Sequence, residues 1–247
     1  RHRLWKVRAK QVVTATGAIE RPLAFAGNDV PGVMLASAIR DYVVNWGISP
    51  GDRTVVVTNN DDAYRTAIAL KEAGLEVPAI LDARAEATGP LAARAREMGR
   101  KVITGRGIAK VKGRRKVEGV AIAAQAGEGA VLDEIKCDAV AMSGGWSPVV
   151  HLWSHCGGKL VWDDAQALFR PDPDRAPINH DGAPFVITAG SASGGLDLNA
   201  TLQDADSAGK TAAERVGVTP AKTTAPKGDT PPEAALEPVW LMPQGAR

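Results

Sequence analysis

The chain has 247 residues, a formal net charge of +2 and 23% charged residues. This length suits two ordinary α/β lobes with real cores, and with no long block of one sign no nucleic-acid partner is expected. No apolar run reaches the ~18 residues of a bilayer span and the opening RHRLWKVRAK lacks the apolar region of a signal peptide, so neither a membrane partner nor export is expected and the chain is read as cytoplasmic.

Two cysteines, Cys137 and Cys156, are too few and too far apart for a redox pair, a disulfide scaffold or a four-thiolate zinc site, and both are expected to be buried small apolar groups. The chain starts without Met and opens directly into a hairpin-like LWKVRAKQVVTATG, which reads as a fragment.

In chain order, AKQVVTATGA (9–18) reads as a strand entering a Gly turn. An irregular stretch rich in Gly, Asn, Asp and Pro follows, then a helix over about 37–46. GISPGD opens a new unit in which elements alternate: strand 54–58, helix 62–73, a strand ending at Asp82, a helix from Pro90 and a strand at 101–104. Alternation of this kind implies a parallel sheet with right-handed crossovers. Two antiparallel segments then return to a last buried strand at 139–143. The five basic residues among 110–116 surround Gly113 at a hairpin tip, where a solvated turn is expected.

Past Pro148, Trp, His and Pro are scattered between polar residues. A strand at 185–189, a Gly/Ser turn and a helix over about 198–216 come next. Pro, Thr, Lys and Ala dominate from Val218 onward, the composition of a stiff linker. Its VWLM at 239–242 is too apolar for an idle spacer and is expected to dock on something outside the chain.

A bend between a strand and a helix holds phosphate when bare backbone N–H groups and the positive helix end converge on it. The central bend, TNNDDA, puts Thr58, Asn60 and Ala63 where G-x-G-x-x-G/A is required. Its side chains should fill the pyrophosphate space, and Asp61 or Asp62 should cap the helix with a carboxylate. Asp82 stands where a ribose-binding acid would. The bends ATGA (Ala15, Thr16, Gly17, Ala18) and AGSASGG are built of small residues and let a ligand lie against backbone. His151 and His155 would share a helix face with Cys156 following, but beside bulky Trp153 these three potential ligands are not a strong set and no metal site is expected. Trp146, Trp153 and Trp162 are expected to be buried or partner-facing. No nucleophile is paired with a base, so no catalytic residue is expected in this segment.

The succession QVVTATGAIERP, DVPGVMLASAI, an α/β unit ending CDAVAMSGG, and FVITAGSASG with its helix resembles the two-dinucleotide-domain flavoproteins of the pyridine nucleotide–disulfide reductase family. RAKQVVTATGAIERPLAFAGNDVPGVMLASAIRDYV, VVVTNNDDAYRTAIALKEAG, SGGWSPVVHLWSHCGGKLVWDD and LEPVWLMP are more specifically similar to the alpha-subunit family of heterotetrameric sarcosine oxidases, over nearly the whole chain.

The resemblance implies two Rossmann-like FAD/NAD(P)-binding lobes, the second inserted in the first, with the first truncated at its N-terminus. Residues 1–45 and 150–217 would form the first lobe, 52–148 the second with its degenerate turn, and 218–247 a linker to a folate-binding domain. The first lobe would hold NAD or FAD through Ala15, Thr16, Gly17 and Ala18 and through Gly190 and Ser191, with further hydrogen bonds from Asn199 and Thr201. Ser191 stands where many relatives carry an acid, which fits a nucleotide bound for structure. FAD and FMN are implied in the wider complex, with a flavin-bearing beta subunit as partner. The implied reaction is oxidative demethylation of sarcosine coupled to oxygen and tetrahydrofolate, with its chemistry on other domains and subunits.

Three alternatives share these residues. They are an NAD(P)H-dependent flavoprotein reductase using the central bend, a related amine or opine oxidase subunit, and an interaction module whose pocket is vestigial.

Overall fold

The computed structural model describes residues 2–231, 233 and 235–243. In chain order, β1 (Val12–Thr14) and β2 (Ala18–Glu20) flank the first bend, and β3 (Val33–Leu35) runs into α1 (Ala36–Trp46). Then β4 (Thr54–Thr58), α2 (Asp62–Glu72), β5 (Ile80–Asp82), α3 (Pro90–Glu97) and β6 (Val102–Thr104) alternate. Three strands, β7 (Arg106–Lys112), β8 (Gly119–Ala124) and β9 (Val131–Ile135), precede β10 (Ala139–Ser143). The remainder comprises β11 (Trp146–Pro148), α4 (His151–His155), β12 (Leu160–Asp163), β13 (Leu168–Pro171), β14 (Val186–Thr188) and α5 (Leu198–Arg215).

The chain divides into two compact units, one of residues 1–19 and 146–230, the other of 20–145 and 231–247. In the second, central unit, β3-β10-β4-β5-β6 form a wholly parallel sheet. β4, TVVVT, is buried at all five positions because both faces of the sheet are covered. The period-two side-chain direction divides the strands between two cores. Val55, Val57, Leu81, Val140 and Met142 pack with Ile108, Val120 and Ile122 of the antiparallel sheet β7-β8-β9. Val56, Ile80 and Ala141 face Ile39, Tyr64, Leu70 and Ala92 of the helices. Pro90 at the first turn of α3 has no N–H to leave unsatisfied, and α1 ends where the left-handed Gly47 returns its N–H to the last turn.

The other unit holds a short parallel pair, β1 with β14, an antiparallel hairpin of β12 and β13, and the long α5. Val12 and Val13 are about 40% exposed, so β1 is an open edge. The indole N–H of buried Trp153 donates to the Lys159 carbonyl at 2.8 Å, and exposed Trp162 meets Phe169 edge-on at 5.0 Å.

Several expectations fall to this architecture. Residues 2–9 form no strand, so the opening is not a hairpin: β1 finds its partner far along the chain. The central sheet is completed by β3, which lies outside 52–148, so the boundary sits near residue 20 instead of 45–52. The 218–247 segment is not linker throughout. Met242 is 1% exposed inside the central core, and VWLM therefore docks on its own chain. Cys137 is buried as expected, but Cys156 is exposed at the end of α4, a helix too short to cover it.

Candidate dinucleotide sites

Parallel pairing of β1 and β14 in the register Thr14 to Thr188 makes both strands end at the same level, and the Ala189 N–H donates to the Thr14 carbonyl at 3.0 Å. The bends that follow are therefore neighbours. Gly17 sits at φ +75°, and a Cβ placed there would find only the Ser191 Oγ, at 4.0 Å. Thr16 Oγ1 donates to the Val149 carbonyl at 2.7 Å, and the Val149 N–H donates to the Gly17 carbonyl at 2.9 Å, fixing the bend from behind. Ala15, Thr16, Gly17, Ala18, Gly190 and Ser191 thus lie together at the carboxyl ends of parallel strands, where open α/β sheets place their ligands.

Two features crowd the second bend. Gly190, at φ +69°, opens a short 3-10 turn, and its N–H donates to Asp204 Oδ2 at 2.6 Å. A Cβ on Gly190 would meet Thr201 Cγ2 at 3.2 Å. The other expected contributors are engaged within the fold. The Asn199 carboxamide exchanges two hydrogen bonds with the backbone of Gly228, and Thr201 Oγ1 donates to the Gly195 carbonyl. α5 starts with Asp197 accepting from the Ala200 N–H, a carboxylate cap on the helix's positive end.

The central bend is filled. Thr58 Oγ1 exchanges hydrogen bonds with the backbone of Asn60, and Asn60 Nδ2 donates to Asn59 Oδ1 and to Ser143. Neither aspartate caps α2. The Asn60 carboxamide oxygen accepts from the Asp62 N–H at 3.0 Å instead, because Asp61 at the cap turns its carboxylate to Arg84 and Asp62 pairs with Arg40 and Arg65.

Asp82 is wholly buried. Arg84 Nη2 lies 2.7 Å from it and 2.7 Å from Asp61, and the Tyr64 hydroxyl donates to it at 2.7 Å. Burial alone would lower the Arg84 pKa, but the two carboxylates outweigh it and raise it. Burial and the Asp82 charge raise that of Tyr64. The acid in the ribose position is thus spent inside the lobe. Sequence reasoning missed Arg84, two residues beyond the strand end, because nothing local marks which buried acids it neutralises.

α4 carries His151 and His155, both exposed, and the described residues contain no group of three His, Cys, Asp or Glu side chains suited to a metal.

No protein-family model matches the chain. It is 38% identical, over 98% of its length, to the sarcosine oxidase subunit alpha of Corynebacterium sp. (strain P-1), covering 24% of that protein. It is 40% identical over 68% of its length to the sarcosine oxidase subunit alpha of Rhizobium meliloti (strain 1021), covering 16% of it. The chain is homologous to a segment of sarcosine oxidase alpha subunits. It spans about a quarter or less of the length of these alpha-subunit relatives. The fold is also that of T. acidophilum thioredoxin reductase, with a TM-score of 0.61, 18% identity and coverage of 84% of this chain and 65% of that one. Among the described residues no helix is long and apolar enough to cross a membrane.

Proposed function

We propose that this segment holds a dinucleotide, NAD or FAD, on the bends at 15–18 and 190–191 and scaffolds an oxidase of the sarcosine oxidase type. The reading rests on one observation: pairing of β1 with β14 sets two small-residue bends side by side, with bare backbone at Gly17. The residues there fit a diphosphate at the first bend, where no side chain intrudes. When bound, the dinucleotide would supply a nicotinamide or flavin ring. The chain's own part is to bind and orient, since Thr16 is committed to the Val149 carbonyl and the bends carry no nucleophile beside a base. The oxidation of an amine, its coupling to oxygen and tetrahydrofolate, and the flavin-bearing partner subunit belong to the rest of such a complex.

One contact favours a second reading, a vestigial pocket in a structural module. The Asp204 carboxylate already sits on the Gly190 N–H, and a fixed anion there opposes another. Mass spectrometry of the full-length subunit, purified within its complex and then denatured, separates the two. Release of stoichiometric NAD or FAD supports dinucleotide holding, and an empty subunit overturns it. The reductase alternative needs a nucleotide on the central bend, where the buried Asn60 and Asp61 side chains stand.

A further inference from the structure

We propose that the ligand crevice of the central lobe is a binding site for an extended peptide, filled in cis by residues 235–242. In a doubly wound sheet the ligand lies beyond the carboxyl ends of the strands where the strand order reverses. Here the reversal falls between β4 and β10, because β5 and β6 continue to one side of β4 while β10 and β3 lie on the other.

The residues that leave those two strands are the ones that grip the segment. Asn59, directly after β4, donates through Nδ2 to the carbonyls of Glu237 and Val239, both at 2.9 Å, and its own carbonyl accepts from the Glu237 N–H at 3.1 Å. Gly144, directly after β10, accepts from the Trp240 indole N–H at 2.8 Å. Each end is anchored separately. Glu233 pairs with Arg65 at 3.0 Å, and Arg84 Nη1 donates to the Ala235 carbonyl at 3.3 Å. At the far end Ala24 pairs as a parallel bridge with Leu241, the Trp240 ring lies over the Arg21 guanidinium at 4.6 Å, and Met242 enters the core.

The bonds to Asn59 are made by peptide backbone, as in strand addition to a groove, while Trp240 and Met242 supply the side-chain specificity. A dinucleotide would need the same position beyond β4, which the segment held by Asn59 and Gly144 already takes. Asn59, at an unrestricted position of the bend between Thr58 and Asn60, thus acquires a purpose: its carboxamide reads two peptide carbonyls. This occupant closes the crevice independently of whatever the other unit holds.

The test uses the full chain with a specific protease sequence inserted after Asp229 and cut after folding. The released C-terminal fragment is expected to stay bound through gel filtration at micromolar concentration. In the uncut chain, the amides of Glu237 and Met242 should exchange with deuterium at least tenfold more slowly than free peptide. Asn59→Leu, which keeps the bulk and removes both donor bonds, should shed the fragment. If that variant fails to fold, Met242→Ser should do the same by removing the anchor. Separation of the cut wild-type fragment overturns the proposal, as does free-peptide exchange at Glu237 and Met242. So does added NADH protecting amides 58–62 of the wild-type chain.

Discussion

Arg84 Nη2 lies 2.7 Å from Asp61 Oδ1, and the two groups are buried to 6% and 0% exposure. The guanidinium also holds Asp82, so one cation neutralises two carboxylates that cannot reach water. Arg84→Met should remove the cation that both acids share and lower the unfolding free energy by about 3–5 kcal/mol. Urea denaturation of the full chain checks this, and a loss below ~1 kcal/mol would mean that water reaches the pair.

The thiols should react in two classes. Cys137 is buried beside Asp138, and desolvation first, then that charge, pushes its pKa up to about 12. Cys156 is exposed. Only the thiolate attacks a disulfide reagent. At pH 8 a colorimetric disulfide should therefore titrate one thiol in the native chain and two in denaturant, with Cys156→Ser abolishing the native reaction. Native labelling of Cys137 would show that the central core opens.

Glu20 makes stability depend on pH. Its buried carboxylate accepts from the Ser37 N–H at 2.9 Å and the Ser37 hydroxyl at 2.6 Å, and burial raises its pKa despite them. A carboxyl group whose folded pKa exceeds its unfolded one favours folding below the unfolded value, and that contribution is lost as pH rises through the folded value. Glu20→Gln keeps an acceptor and removes the charge. The difference in Tm between this variant and the wild type should therefore move in the variant's favour as pH rises from 4 to 8. A difference independent of pH would show that the carboxylate is hydrated.

The middle of the central sheet was legible because β4, β5 and β10 are buried on both faces and read as short apolar runs, as in TVVVT and AVAMS. The turn at Gly47 and the start of α3 at Pro90 were marked by residues with a conformational reason to be there. The β12–β13 hairpin was not legible: its connection uses Ala167 at φ +48°, where no glycine announces the bend. Nor could local sequence reveal that β3 joins the central sheet or that Leu241 pairs with Ala24, because both depend on partners remote in the chain. The two bare bends were recognisable singly as small residues after strands, but their adjacency comes only from the pairing of β1 with β14.

Two glycines separate binding from stability. Gly17 lies at φ +75° in open space, so Gly17→Val places a branched side chain in a left-handed bend, at a cost of about 1–2 kcal/mol. That side chain also projects where a diphosphate would rest. Gly209 lies within α5 and has open space around it. Gly209→Ala should stabilise by about 0.5–1 kcal/mol through helix propensity alone. Introduced into the intact subunit, Gly17→Val should abolish the dinucleotide released on denaturation, whereas Gly209→Ala should leave it stoichiometric. Asp204→Asn completes the set: it removes the fixed charge at the Gly190 N–H while keeping an acceptor oxygen, and should slow dinucleotide loss during dialysis. Retention of a full complement by Gly17→Val would place the nucleotide elsewhere, and unchanged loss from Asp204→Asn would place the diphosphate away from the second bend.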